Sequence, residues 1–192
     1  MHGMALGARF DTALVFAAAH HREQTRKGSE TPYVGHLLGV ASIAIEYGAS
    51  EDEAIGALLH DVIEDQGVKK AELEKLFGAA VADIVDGCSD TDVVPKPPWK
   101  ERKERYIAHV ASASPSVRFV SMCDKLHNAR TILADLRAIG DGVWSRFKGG
   151  KDGSLWYYRA LVEAYRTAGT DKQLLLDELD RTVSEIVRLT SS

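Results

Sequence analysis

Two cysteines, Cys88 and Cys123, in 192 residues are too few for a disulfide framework. No apolar run reaches the roughly 18 residues that a membrane span requires. The one short apolar stretch near the start, Thr12–Ala19, runs into His20, His21 and Arg22 with no cleavage-like site, so it reads as a helix of the mature protein. Cytoplasmic location and the absence of a membrane partner are the expectations that follow. Basic excess is lacking too: 24 Lys and Arg stand against 28 Asp and Glu, a formal net charge of −4. Nonspecific coating of nucleic acid is therefore not expected, although a local basic pocket remains compatible with that balance. No internal repeat or low-complexity tract occurs. Hydrophobic residues at 45% and charged residues at 27% are the usage of a soluble globular chain. The length predicts one domain over residues 1–192, with Met1–Gly7 a ragged start.

The five prolines punctuate the chain. Pro95, Pro97 and Pro98 predict a loop over Asp90–Pro98, while Pro32 and Pro115 sit where helices begin. Between these marks the pattern is helical throughout. Helices are expected over Asp11–Lys27 and Val34–Tyr47. Ser50 with Glu53 has capping-box spacing, so the next runs from there to about Asp65. Shorter helices cover Lys69–Phe77, Ala79–Asp86 and Trp99–Ala111. A long one starts at Ser114-Pro115, with Phe119, Met122, Cys123, Leu126, Ala129, Leu133 and Leu136 at helical spacing. Gly140–Gly153 reads as a loop-rich basic stretch, followed by helices over Leu155–Thr167 and Asp171–Leu189. The predicted fold class is all-α, a compact multi-helix bundle around the long central helix.

Three polar groups interrupt the apolar pattern. In Leu58-Leu59-His60-Asp61-Val62-Ile63-Glu64-Asp65, His60 and Glu64 are four apart, as are Asp61 and Asp65, so an imidazole and three carboxylates share a face. Clustered acids repel unless a cation sits among them. A lone pair of this kind is ordinarily a solvated helix end; the flanking apolar residues argue against that here. The second group, Asp124-Lys125-Leu126-His127-Asn128, lies on the long helix, and taken alone it would be an ordinary charged surface. The third is His36, on an otherwise apolar helix, where a lone histidine is usually a satisfied core residue. Together His36, His60, Asp61 and Asp124 offer two nitrogens and two carboxylates, a donor set suited to Mn²⁺, Fe²⁺ or Zn²⁺.

These residues, in this order, resemble the HD-domain phosphohydrolases, and within them the hydrolase domain of the RelA/SpoT-homologue enzymes and its small single-domain form. The likeness is carried by Arg26-Lys27 with Pro32-Tyr33 and His36, by His60-Asp61-Val62-Ile63-Glu64-Asp65, by Phe77-Gly78 and the helix after it, and by Asp124-Lys125-Leu126-His127-Asn128 with Arg130. It runs over about residues 10–167 and leaves 171–189 as an additional C-terminal helix. The resemblance implies one divalent ion, Mn²⁺ placed first and Fe²⁺ or Zn²⁺ as alternatives, held by His36, His60, Asp61 and Asp124. Glu64 and Asp65 would position or deprotonate the attacking water, with Asn128 holding the nucleotide or pyrophosphate beside them. Arg26 and Lys27 would meet the base or phosphates, and Tyr157, with Tyr158 as its competitor, the ribose or phosphate.

The chain departs from the family's pattern at His36-Leu37, where His-Pro is common, and at Cys88-Ser89-Asp90-Thr91, where Thr-Lys-Leu is common; the second difference leaves nucleotide preference open. The implied activity is hydrolysis of the 3′-pyrophosphate of a guanosine alarmone, (p)ppGpp, to GDP or GTP and pyrophosphate. The alternatives are an adenosine alarmone or other nucleotide 3′-phosphate on the same fold and metal, and a nucleotide-binding module without turnover. The expected partner is a small-molecule nucleotide; oligomeric state is left open.

Overall fold

The computed structural model describes residues 5–89, 95 and 97–190. The fold is all-α. Its elements in order are α1 (Ala8–His20), α2 (Val34–Glu46), α3 (Glu51–Leu59), α4 (Val62–Gln66), α5 (Lys70–Phe77), α6 (Ala79–Cys88), α7 (Trp99–Ser112), α8 (Pro115–Ile139), a 3₁₀ helix (Gly140–Arg146), α9 (Gly150–Ala168) and α10 (Gln173–Thr190). Among the described residues the sole β pairing is one antiparallel bridge between Thr25 and Pro32. No helix described is long and apolar enough to cross a membrane. Most of the Asp90–Pro98 loop lies outside the described residues.

Helix α8 is the strut. Ser114 caps it by accepting from the Val117 amide at 3.3 Å, and Pro115 occupies the first turn, where its missing N–H costs nothing. Val120 to Asp124 are buried without interruption, so this stretch is enclosed on every side. It packs against α2, α3, α6, α10 and the 3₁₀ helix. Two close crossings depend on glycine. A Cβ on Gly56 of α3 would lie 2.6 Å from Ile84 of α6, and one on Gly87 of α6 would lie 2.6 Å from Val117 of α8.

Helix α3 opens with the expected capping box: Ser50 Oγ accepts from the Glu53 amide at 3.2 Å and Glu53 Oε2 accepts from the Ser50 amide at 2.8 Å. The other Glu53 oxygen accepts from Ser116 at 2.8 Å, so one carboxylate anchors the starts of both α3 and α8. Three expected boundaries are corrected. Helix α1 stops at His20, and the chain to residue 33 is a hairpin in which Arg26 donates to the Thr31 carbonyl and Tyr33 to the Gln24 carbonyl, each at 2.9 Å. The helix expected to continue to Asp65 breaks at His60-Asp61 between α3 and α4. The expected loop over Gly140–Gly153 is instead a 3₁₀ helix and the first turn of α9, with Val143 and Trp144 buried. Two of its basic residues are tied to the fold: Arg146 pairs with Asp135 at 2.6 Å, and Lys151 donates to Asp141 and to the Thr190 carbonyl.

Candidate active site

The break between α3 and α4 holds two of the candidate site residues, His60 and Asp61. Asp61 has helical dihedrals of φ −103° and ψ −2° outside either helix, while its carbonyl still accepts from the Asp65 amide at 2.9 Å. His60 turns inward, and its Nδ1–H donates to the Ala57 carbonyl at 2.9 Å. In the neutral ring that bond fixes the tautomer and leaves the lone pair on Nε2, the atom a cation would have to take from a proton. His60 Nε2 is buried and has no hydrogen-bond partner. It stands 2.9 Å from Asp61 Oδ2 and 3.6 Å from Asp124 Oδ1. From α2, His36 Nε2 reaches within 3.2 Å of Asp124 Oδ1 and 3.7 Å of Asp61 Oδ2. Ligand atoms of His36, His60 and Asp124 all lie within 4.8 Å of one another. A buried imidazole nitrogen aimed at two carboxylates, without a bond of its own, fits a divalent cation.

Two elements separated in sequence thus converge on α8. Asp124 is held on both oxygens: Oδ1 accepts from Asn128 Nδ2 at 2.6 Å and Oδ2 pairs with Lys125 Nζ at 2.5 Å. Asp61 accepts from the Tyr33 hydroxyl at 2.5 Å. Burial opposes the charge on both acids, but His60 beside Asp61 and Lys125 beside Asp124 hold each below the usual carboxylate range. Burial likewise works against His60 as a cation, and Asp61 and Asp124 outweigh it, raising its pKa well above the ordinary value. His36 goes the other way, because burial dominates and lowers it. Burial also presses on Lys125, yet Asp124 keeps it charged, and its ammonium sits 5.1 Å over the Tyr106 ring.

Around this centre the hairpin after α1 supplies the cations. Arg26 donates to Asn128 Oδ1 at 2.7 Å and lies 5.6 Å over the Tyr33 ring, so Asn128 bridges Arg26 and Asp124. Lys27 is exposed one residue further on. Glu64 is half-buried on α4, and Asp65 is exposed and accepts from Gln24 Nε2 at 2.7 Å. Gln24 is held in turn, since its Oε1 accepts from Gln66 at 2.6 Å and lies 2.6 Å from His21 Nδ1. Tyr157 is buried, its ring 6.3 Å from Trp99 and 5.9 Å from Tyr158, with Lys103 Nζ 4.9 Å above it. Tyr158 is half-exposed and feels the charges of Lys125, Asp124 and Arg26.

The structure therefore brings His36, His60, Asp61, Asp124, Asn128 and Arg26 into one connected group and sets Asp65 at its edge. Sequence reasoning gave no role to Tyr33, Gln24 or His127. His127 lies beside His36, with their Nδ1 atoms 2.9 Å apart, and its pKa is pushed down to about 4 by burial and by the neighbouring His36 and Arg26. The signal for it was its position three residues after Asp124, on the same face of α8.

Comparison with known proteins gives a consistent set of matches. A model of the HD domain matches residues 13–154. The Drosophila melanogaster protein named guanosine-3′,5′-bis(diphosphate) 3′-pyrophosphohydrolase MESH1 is 33% identical over 177 residues, which is 91% of this chain and 94% of that one. The bifunctional (p)ppGpp synthase/hydrolase SpoT of Escherichia coli is 34% identical over 127 residues, covering 65% of this chain and 18% of that protein. Among solved structures, one described as a metazoan ortholog of SpoT that hydrolyses ppGpp superposes with a TM-score of 0.75 at 32% identity, covering 93% of this chain and 97% of that one.

Proposed function

The chain belongs to the HD-domain family, and from that premise we propose that it is a metal-dependent pyrophosphohydrolase acting on (p)ppGpp. Water adds to the phosphorus attached to the 3′ oxygen, the bond between them breaks, and the products are GDP or GTP and pyrophosphate. The observation that carries this reading is the grouping of His36, His60 and Asp124 ligand atoms within 4.8 Å of one another, with Asp61 Oδ2 2.9 Å from His60 Nε2, in a chain similar over nearly its whole length to a relative named for this reaction.

His36, His60, Asp61 and Asp124 hold the ion, with Mn²⁺ as the proposed metal, since the set mixes nitrogen and hard oxygen donors. Bound there, a divalent ion supplies Lewis acidity and neutralises charge on the phosphoryl oxygens. The remaining work is done by the chain's own groups. Tyr33 and Lys125 orient the two carboxylates from outside. Glu64 and Asp65 position the attacking water and accept its proton. Asn128 and Arg26 face the nucleotide, and Lys27 adds a further cation at the mouth. Tyr157 backs the substrate side from the aromatic cluster of α7 and α9.

Purified protein with Mn²⁺ is expected to convert guanosine 3′,5′-bis(diphosphate) to GDP and pyrophosphate, without ATP; products separated by chromatography decide it. Release of orthophosphate alone, or turnover of the adenosine analogue only, would replace this substrate by another. Arg26→Ala is expected to raise KM by roughly tenfold or more while kcat changes less, because a cation on a phosphate acts in ground and transition states alike. An unchanged KM would remove Arg26 from the substrate site.

A further inference from the structure

We propose that His127 is a positioning residue of the metal centre, accepting the Nδ1 proton of His36 so that His36 Nε2 presents its lone pair, and that Gly39 is glycine because the His127 ring occupies the place of its side chain. The inference rests on the ligand set proposed above and places two further residues behind it, neither of them a ligand.

The two Nδ1 atoms are 2.9 Å apart, with ring centroids at 4.8 Å. At that distance one nitrogen donates and the other accepts. If His127 donated, the proton of neutral His36 would lie on Nε2, pointing at Asp124 Oδ1 3.2 Å away and blocking coordination. If His36 donates, its Nε2 is bare and faces Asp124 and Asp61 as a ligand must. His60 reaches the same condition through the Ala57 carbonyl. For His36 the corresponding partner is a side chain of α8.

The recess that admits the ring is specific. Gly39 follows His36 by three residues, on the same face of α2. A Cβ built on it would stand 2.3 Å from both Cδ2 and Nε2 of His127. The helical backbone there needs no positive φ, so conformation does not call for glycine; space does.

The test is the affinity of metal-free protein for Mn²⁺, followed by the electron paramagnetic resonance signal of the free ion, with the melting temperature of each metal-free variant recorded beside it. His127→Phe keeps a ring and removes the acceptor, and its Kd is expected to rise by about 10–100-fold. His127→Asn returns an acceptor oxygen near the position of Nδ1 and is expected to bind nearly as wild type. Gly39→Ala removes no polar group, yet it should weaken Mn²⁺ binding as His127→Phe does. Wild-type affinity in both His127→Phe and Gly39→Ala would overturn the proposal, as would His127→Asn binding as weakly as His127→Phe. If His127→Phe lowers the metal-free melting temperature, Gly39→Ala and His127→Asn decide. His60→Ala tests the ligand set separately: should it keep wild-type affinity, that set falls, and this proposal with it.

Discussion

Replacing His60 by alanine is expected to strip the protein of its metal and to reduce pyrophosphate release to the uncatalysed level. No other substitution should cost as much. His60 Nε2 is the one candidate ligand atom already prepared by a backbone hydrogen bond, through Nδ1 to Ala57, and it stands against both Asp61 and Asp124. Without it, three candidate ligands remain, and the half-buried Asp61 and buried Asp124 carboxylates lose the imidazole that stands against both. The flanking Leu58, Leu59 and Val62 are fully buried and keep the helix pair in place, so the variant should fold. Elemental analysis after gel filtration, with a pyrophosphate-release assay on the same sample, provides the check. Full metal content in the purified variant would sink the ligand assignment.

The second large effect is expected from Glu64→Gln and Asp65→Asn. Both keep shape and remove the base, and general acid–base groups typically contribute about 10²–10⁴-fold, so kcat should fall by that order while metal content stays. Neither acid belongs to the group of His36, His60 and Asp124 ligand atoms. Both lie on α4, beyond the break, with Asp65 exposed and accepting from Gln24. In Asp65→Asn the new amide oxygen can still accept from Gln24, so a loss of rate reports the lost base and not a lost contact. Wild-type turnover in both variants would mean the proton leaves by another route. Loss of metal in either would move that carboxylate into the coordination sphere.

Much of this was legible in the residues. Ser50 with Glu53 and Ser114 with Pro115 marked two helix starts correctly, because capping is local chemistry. The break at His60-Asp61 was not legible, since no glycine or proline marks it. There a side chain takes up the Ala57 carbonyl, and regular helix ends at Leu59. The glycines at 149, 150 and 153 argued for a loop, yet α9 begins at Gly150. The reason is tertiary: the Trp99 ring lies where Cβ atoms of Gly149 and Gly153 would be, 2.6 and 3.2 Å away. The parts of the site that were missed share one property. Tyr33, Gln24 and His127 act on partners 28, 41 and 91 residues distant, and no periodicity in a single chain pairs residues so far apart.

The helical glycines also bear on how this protein could be made more robust. Exchanging glycine for alanine within helices usually contributes about 0.4–1 kcal/mol, by restricting the unfolded chain. That route is closed at Gly56 and Gly87, where a methyl group would collide with Ile84 and Val117, and at Gly39, where it would collide with His127. Gly35 differs: it lies in the first turn of α2, its φ is not positive, and nothing stands within 4 Å of an added Cβ. Thermostabilisation of this fold therefore begins at Gly35 and spares Gly39, although both occupy the same helix and propensity alone would treat them alike.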